Sequence, residues 1–230
     1  MSGARPRLLL SWSTGKDSAW ALHGLRRSGD FEIAGLMSTT TGEADQSRVT
    51  IHGIGLTTLH AQARAVGLPV TEVHLPDPCP NDAYERAMSA FVAQARADGI
   101  THIAFGDLFL EDVRRYREEK LAGTGITPVF PLWGKDTRAL SGEMIAAGLH
   151  ARIVSVDLQQ LDERFLGREF DTALLDDLPP SCDPCGERGE FHSFCYAGPM
   201  FTAPLAIDMG AVRRKAHFAH VEPRALDAVP

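Results

Sequence analysis

Long apolar runs are missing from this chain. Near the N-terminus only Leu8–Leu10 forms one, too short for the apolar core of a secretory signal. No window approaches the roughly 18 apolar residues of a membrane-spanning helix. Cysteine is sparse as well: Cys79, Cys182, Cys185 and Cys195 are four in 230 residues. They are too few and too clustered for a disulfide scaffold, which points to a reducing, cytoplasmic location. Positive charge is in deficit. The net charge is −7, which argues against a broad surface for duplex nucleic acid or for anionic membrane, although a local basic groove is compatible with it. Internal repeats and low-complexity tracts are absent too.

What is present is ordinary for a globular protein: 44% hydrophobic and 23% charged residues, in a length that fits one large domain or two small ones. Short apolar segments alternate with longer amphipathic ones. Strands are expected at Arg7–Ser11, Glu32–Ser38, Val70–Leu75, His102–Phe105 and Pro128–Phe130, each bounded by Gly, Pro or polar turns. Helices are expected between them at Asp17–Arg27, Leu56–Val66, Asn81–Ala97 and Glu111–Ala122. Such alternation predicts an α/β fold, a Rossmann-like parallel sheet with crossover helices, whose ligands gather at the carboxyl ends of the strands.

Beyond Leu132-Trp133-Gly134 the texture changes. A helix is expected at Thr137–Ala147 and a strand at Ala151–Val156. Apolar stretches at Phe191–Tyr196 and Met200–Ile207, split by Ala197-Gly198-Pro199, read as a β-hairpin. The expected division is a first domain at 1–133, a smaller C-terminal α+β domain at 134–212, and a loosely packed tail at 213–230.

The segment carrying the most chemistry is Ser11-Trp-Ser-Thr-Gly-Lys-Asp-Ser18, between the first strand and first helix. It is not a Walker A loop: the earlier glycine position is Leu10, and Asp17 follows Lys16 where a magnesium-binding hydroxyl is required. The dinucleotide fingerprint fails because Gly15 stands alone. What remains is a turn of small residues ahead of a helix. There backbone N–H groups, the helix N-terminus and the hydroxyls of Ser13, Thr14 and Ser18 can meet phosphate oxygens, with Lys16 as a point charge. The competing reading is a polar turn capped by Ser13 or Asp17.

A second constellation runs from Asp183-Pro-Cys-Gly-Glu-Arg-Gly-Glu-Phe-His-Ser193 to Gly198-Pro199-Met-Phe201. Glu187, Glu190 and His192 lie together there. Near a nucleotide, such carboxylates can hold magnesium, orient an incoming amine or take its proton. An acidic, solvated turn is the plainer alternative.

The first string resembles the Ser-Gly-Gly-Lys-Asp-Ser PP-loop of adenine-nucleotide α-hydrolase-like enzymes, with Thr14 in place of a glycine. The second resembles the Cys-Gly-Glu-x-Gly-Glu-Phe-His-Thr signature of the diphthine–ammonia ligase-like branch, with Ser193 for threonine. Phe105-Gly106-Asp107 and Pro131-Leu132-Trp133 agree with it. The resemblance implies an ATP- and Mg2+-dependent ligase that adenylates a carboxylate, releases pyrophosphate and transfers ammonia to form an amide. By the same resemblance Ser11, Ser13, Thr14, Gly15, Lys16, Asp17 and Ser18 would hold the phosphates, Asp17 on the metal. Gly106 and Asp107 would flank the nucleotide. Lys16, Glu187, Glu190 and His192 would serve catalysis. Met37 would either meet adenine through its backbone or belong to the core.

One departure concerns the acceptor. Where the diphthamide-forming branch reads Tyr-Gln-x-x-Arg, this chain has Asp112-Val-Arg-Arg-Tyr116. A different small or protein-borne carboxylate is therefore the expected substrate. Arg114, Arg115 and Arg117 would either clamp an anion or pair along a helix face. Cys182, Cys185, His192 and Cys195 also have spacing that zinc tolerates. A homodimer is compatible with a chain of this kind. A tRNA-modifying PP-loop enzyme and a non-catalytic ATP-binding regulator are the alternative functions.

Overall fold

The computed structural model describes residues 4–42, 48–49 and 53–226. The chain runs β1 (Arg7–Ser11), α1 (Lys16–Ser28), β2 (Glu32–Thr41), β3 (Arg48–Val49), α2 (Leu56–Ala65), β4 (Val70–Leu75), α3 (Asn81–Ala97), β5 (His102–Ala104), α4 (Glu111–Leu121) and β6 (Thr127–Val129). It continues through α5 (Thr137–Ala146), β7 (His150–Asp157), a 3-10 turn at Glu163–Phe165, α6 (Thr172–Asp177), β8 (Phe191–Ala197), β9 (Ile207–Lys215) and β10 (Phe218–Ala225).

The first sheet is parallel apart from β3. β1 lies between β2 and β5, β4 pairs with the other side of β2, and β6 with the other side of β5. The apolar centre of β1, Leu8 to Leu10, is buried, as a strand with helices on both faces requires. Because the chain leaves β1 first toward β2 and later returns to β5, the carboxyl ends of β1 and β5 form the topological switch where such sheets bind ligands. The elements end on local signals. Gly29, at φ 69°, closes α1 with its N–H on the Leu25 carbonyl at 3.3 Å. The Asp136 carboxylate accepts from Ala139 N at 2.8 Å and caps α5.

The second sheet is antiparallel, in the order β8-β7-β10-β9. The architecture is thus α/β, a Rossmann-like sheet joined to a smaller C-terminal sheet. One apolar cluster runs through both, with Leu8, Trp12 and Leu22 in the same core as Phe165, Phe170 and Phe194. A division near Gly134 therefore separates two sheets that share a core.

Two expectations about the C-terminal part are corrected. Phe191–Tyr196 does not form a hairpin with Met200–Ile207: β8 pairs with β7, and residues 199–206 carry no strand. As far as residue 226 the segment beyond Arg213 is not a loose tail, because β9 and β10 pair with each other and β10 pairs with β7; the last residues of that expectation, 227–230, lie outside the described residues. Both strands are hard to read in the sequence. The ladder shifts register between Val221 and Pro223, and the Gly210 backbone sits so close that an added Cβ would lie 3.1 Å from the Glu222 carbonyl oxygen.

Candidate functional site

The turn after β1 is shaped by a residue far away in sequence. Thr14 sits at φ 70°, a left-handed conformation costly for a β-branched residue and held only when its surroundings insist. They do so through Gln62 of α2, which is 0% exposed. Its Oε1 accepts from the Trp12 indole N–H at 2.6 Å. Its Nε2 donates to the carbonyls of Thr14 at 2.9 Å and Cys195 at 2.5 Å. Cys195 N–H returns a bond to the Thr14 carbonyl at 3.0 Å. Gln62 thereby ties α2, the turn and β8 together. No sequence motif announces it, since its partners meet only in three dimensions.

Beyond the turn, α1 begins with Gly15 as N-cap and no side-chain cap. The Ser13 hydroxyl donates to Ser18 Oγ at 3.2 Å, and Ser18 donates to the Gly15 carbonyl at 3.0 Å. Gly106 packs on this first helical turn; a Cβ there would come within 3.1 Å of Ser18 N and the Asp17 carbonyl carbon. Glycine at 106 is what lets the β5–α4 connection approach the helix N-terminus.

Lys16 does not point its ammonium into water. At 2% exposure, its Nζ donates to the Cys185 carbonyl and, at 2.9 Å, to Asp17 Oδ2. It lies 5.3 Å and 5.4 Å from the ring centres of Phe170 and Phe191. Burial works against its charge, but the Asp17 carboxylate and the other acidic groups around it outweigh that and hold its pKa above the ordinary lysine value. The backbone N–H of Lys16 donates to Ser193 Oγ at 3.2 Å. A single residue thus clasps the first motif to the second.

The 183–190 loop is held by its own carboxylates. Asp183 Oδ1 accepts from Cys185 N at 2.9 Å and Glu187 N at 3.2 Å, while Oδ2 accepts from Thr137 Oγ1 at 2.6 Å. Glu190, 1% exposed, accepts from Asp183 N at 2.7 Å on Oε1 and from Arg188 N at 3.0 Å on Oε2. Each oxygen of Glu190 thus accepts a backbone N–H from within the loop. Asp183 was not singled out in the sequence, though an Asp-Pro-Cys-Gly turn is the kind of place where an Asp side chain accepts from following N–H groups. Gly186, at φ 71°, is required here: a Cβ would fall 2.7 Å from the Phe191 carbonyl oxygen. Gly186→Ala is expected to lower stability by about 2 kcal/mol, read as a reduced denaturant midpoint with an unchanged slope.

Glu187 accepts fewer bonds than Glu190. Its Oε1 accepts from Leu108 N at 2.8 Å. Burial, then the neighbouring charges of Asp17 and Asp107, push its carboxyl up to about 7 against the pull of that N–H and of Lys16. His192 moves the other way: burial, with the Lys16 and His220 charges, pushes its imidazole down to about 4, so it is neutral at physiological pH. Asp17 Oδ1 is buried without a partner.

Other expected residues are drawn elsewhere. Asp107 is held by Arg117 through contacts of 2.6 and 3.1 Å. Arg114 pairs with Glu118 at 2.7 Å and lies 4.7 Å from the Trp133 ring centre. Met37 is buried by its side chain, as the core reading expects. Its carbonyl accepts Trp12 N–H at 2.7 Å within the ladder, and its side chain packs with Val73 and Leu75. Ser11 closes β1 in register with Met37. The thiols of Cys182, Cys185 and Cys195 donate to the carbonyls of Asp183, Thr137 and Ala197. Burial pushes Cys182 up to about 12 and the other two higher still. Among the described residues no group of three or more His, Cys, Asp or Glu side chains is placed to hold a metal ion, and no helix is long and apolar enough to cross a membrane.

A family model described as "Diphthamide synthase C-terminal domain" matches residues 136–222. Three relatives bear the name diphthine–ammonia ligase. The one from Danio rerio is 29% identical over 165 residues, covering 64% of this chain and 63% of that protein. That from Rattus norvegicus is 27% identical over 136 residues, 56% of this chain and 51% of its own length. The Homo sapiens protein is 26% identical over 140 residues, 58% and 52% respectively. The chain therefore matches between about half and two thirds of each relative's length, and over residues 136–222 it is similar to the diphthamide synthase C-terminal family.

Proposed function

We propose that the protein is an ATP-dependent ligase that converts a carboxylate to an amide. A carboxylate oxygen displaces pyrophosphate from the α-phosphorus of ATP, and ammonia then displaces AMP from the acyl carbon. The observation that carries this reading is the convergence of two motifs some 170 residues apart: Lys16 bonds Cys185 and Ser193, and Glu187 stands close enough to Lys16 and Asp17 to feel their charges.

The residues fit the substrates. A helix N-terminus without a side-chain cap, approached closely by Gly106, suits phosphate oxygens. Ser11, Ser13, Thr14, Gly15 and Ser18 would line it. The unpartnered, buried Asp17 Oδ1 is the kind of hard oxygen that Mg2+ takes along with phosphates. Bound there, Mg2+ would neutralise charge on the phosphates. Lys16 would hold the second motif over this cradle, Asp183 and Glu190 would fix the loop, and neutral His192 would offer a hydrogen bond near the acceptor.

Glu187 is suited to take the proton that nitrogen loses on forming the amide, because its pKa near neutrality matches a general base. The base is the deprotonated form, so the rate should rise as pH increases through about 7. Glu187→Gln should lower turnover by about a hundredfold and abolish that limb, with ATP affinity nearly unchanged; a wild-type limb persisting in the variant would assign it to another group. The whole reading is tested by incubating the protein with ATP, ammonium and a panel of carboxylic acids. AMP and pyrophosphate are the expected products. Release of ADP would sink it.

A further inference from the structure

The face of the parallel sheet covered by α3 and α4 is under-packed. Of seventeen residues in α3 only Val92 and Ala95 are buried, and of eleven in α4 only Leu121. Between the helices lies a cavity of about 520 Å³, floored by Met37, Ile103 and Phe105. The space opens to solvent where Glu85, Ser89, Ala93 and Lys120 are exposed, and its volume is in the range of small-molecule pockets. Its sides are mainly apolar and aromatic, with Tyr84, Met88 and Tyr116 among them, while Arg96 and the Glu85–Lys120 ion pair stand on the exposed rim. Lining residues from Tyr84 to Arg96 extend along α3 for about 18 Å at the helical rise, so the space is elongated.

One end of this cavity adjoins the candidate site. Ser11, the last residue of β1, is in register with Met37, and Phe105 directly follows Ala104, the partner of Leu10. The floor is therefore level with the start of the phosphate turn. Arg117 on the cavity wall grips Asp107, whose charge in turn acts on Glu187.

We infer that this cavity receives the acceptor as a free small molecule, a carboxylic acid with an elongated apolar body whose carboxylate lies at the Arg117 end. The inference rests on the ligase reading and supplies its substrate class. Apolar walls accept an acyl or arylalkyl chain, and the strip of sheet between Phe105 and Ser11 leads the carboxylate toward the turn. A protein-borne side chain would have no use for a space running the length of α3.

Decanoate, with decanol as the uncharged control, probes the cavity by calorimetry, alongside a non-hydrolysable ATP analogue. Met88→Trp fills the cavity from its wall; Ser89→Phe, on the exposed rim, is a second variant that keeps the interior untouched. Decanoate should bind the wild type with a dissociation constant of about 1 mM or below and more tightly than decanol. Met88→Trp should weaken it by about tenfold, Ser89→Phe by less, with the ATP analogue bound equally by all three. Undetectable decanoate binding, equal binding by the variants, or loss of the ATP analogue in Met88→Trp would each overturn the inference, the last by giving the space to the nucleoside. Pyrophosphate assays keep the two readings apart. Cavity-dependent decanoate binding without pyrophosphate release from any acid counts against the ligase and leaves the cavity assignment standing. Pyrophosphate release on a protein-borne acceptor, undiminished in Met88→Trp, does the reverse.

Discussion

Lys16→Met is expected to cost the protein both stability and the proposed activity. Methionine fills much of the same volume between the rings of Phe170 and Phe191, so packing is largely kept. The ammonium is lost, and with it the donor to the Cys185 carbonyl and the partner of Asp17. Removing one member of a buried pair typically costs about 3–5 kcal/mol. Asp17 is 26% exposed and water can reach it in part, so about 2–3 kcal/mol is the better expectation after screening. Guanidinium denaturation should show that fall in midpoint. Pyrophosphate release should drop by more than about a hundredfold, because the 183–190 loop loses its anchor over the turn. A variant as stable as the wild type would mean that the ammonium faces solvent in solution.

Gln62→Leu should be nearly as damaging, although Gln62 belongs to neither motif. Leucine removes the acceptor of the Trp12 indole N–H and the donor to the carbonyls of Thr14 and Cys195. Thr14 keeps its bond from Cys195 N–H, so two polar groups are stranded rather than three. At about 1–3 kcal/mol for each group left unsatisfied, the expected loss is about 2–6 kcal/mol. The strained Thr14 turn should relax, weakening the ATP analogue more than stability alone predicts. Gln62→Glu separates the two ends of the amide: it keeps an acceptor for Trp12 and loses the donor. If Gln62→Glu binds the analogue as the wild type does, the carbonyl contacts do not shape the turn.

The N-terminal sheet was open to reading because its signals are local. Continuous apolar segments such as Leu8–Leu10, bounded by polar turns, specify buried parallel strands, and helical spacing in α1 and α3 specifies the crossovers. β1, β4 and α3 lie where periodicity places them. β9 and β10 were lost for an equally local reason. Gly210, the run Arg213-Arg214-Lys215 and Pro223 are poor strand residues, and they become strand because the hairpin pairs with itself and with β7.

The candidate site divides in the same way. Residue types and spacing around Gly15-Lys16-Asp17 and Glu187-Arg-Gly-Glu190 were enough to nominate two motifs and a class of chemistry, since a phosphate turn and a pair of carboxylates each need particular residues close together in the chain. How the work is shared among them depends on contacts between distant residues. Glu187 and Glu190 are alike in sequence, yet backbone N–H groups consume both oxygens of one, while burial beside Asp17 and Asp107 raises the other to a useful pKa. Lys16, nominated as a charge for phosphate, also bonds Cys185 and Ser193 and so joins the two motifs. The linear chain determined which side chains were on hand. Folding decided which of them bond one another and how their charges are tuned, because desolvation and hydrogen bonding act across space without regard to order along the chain.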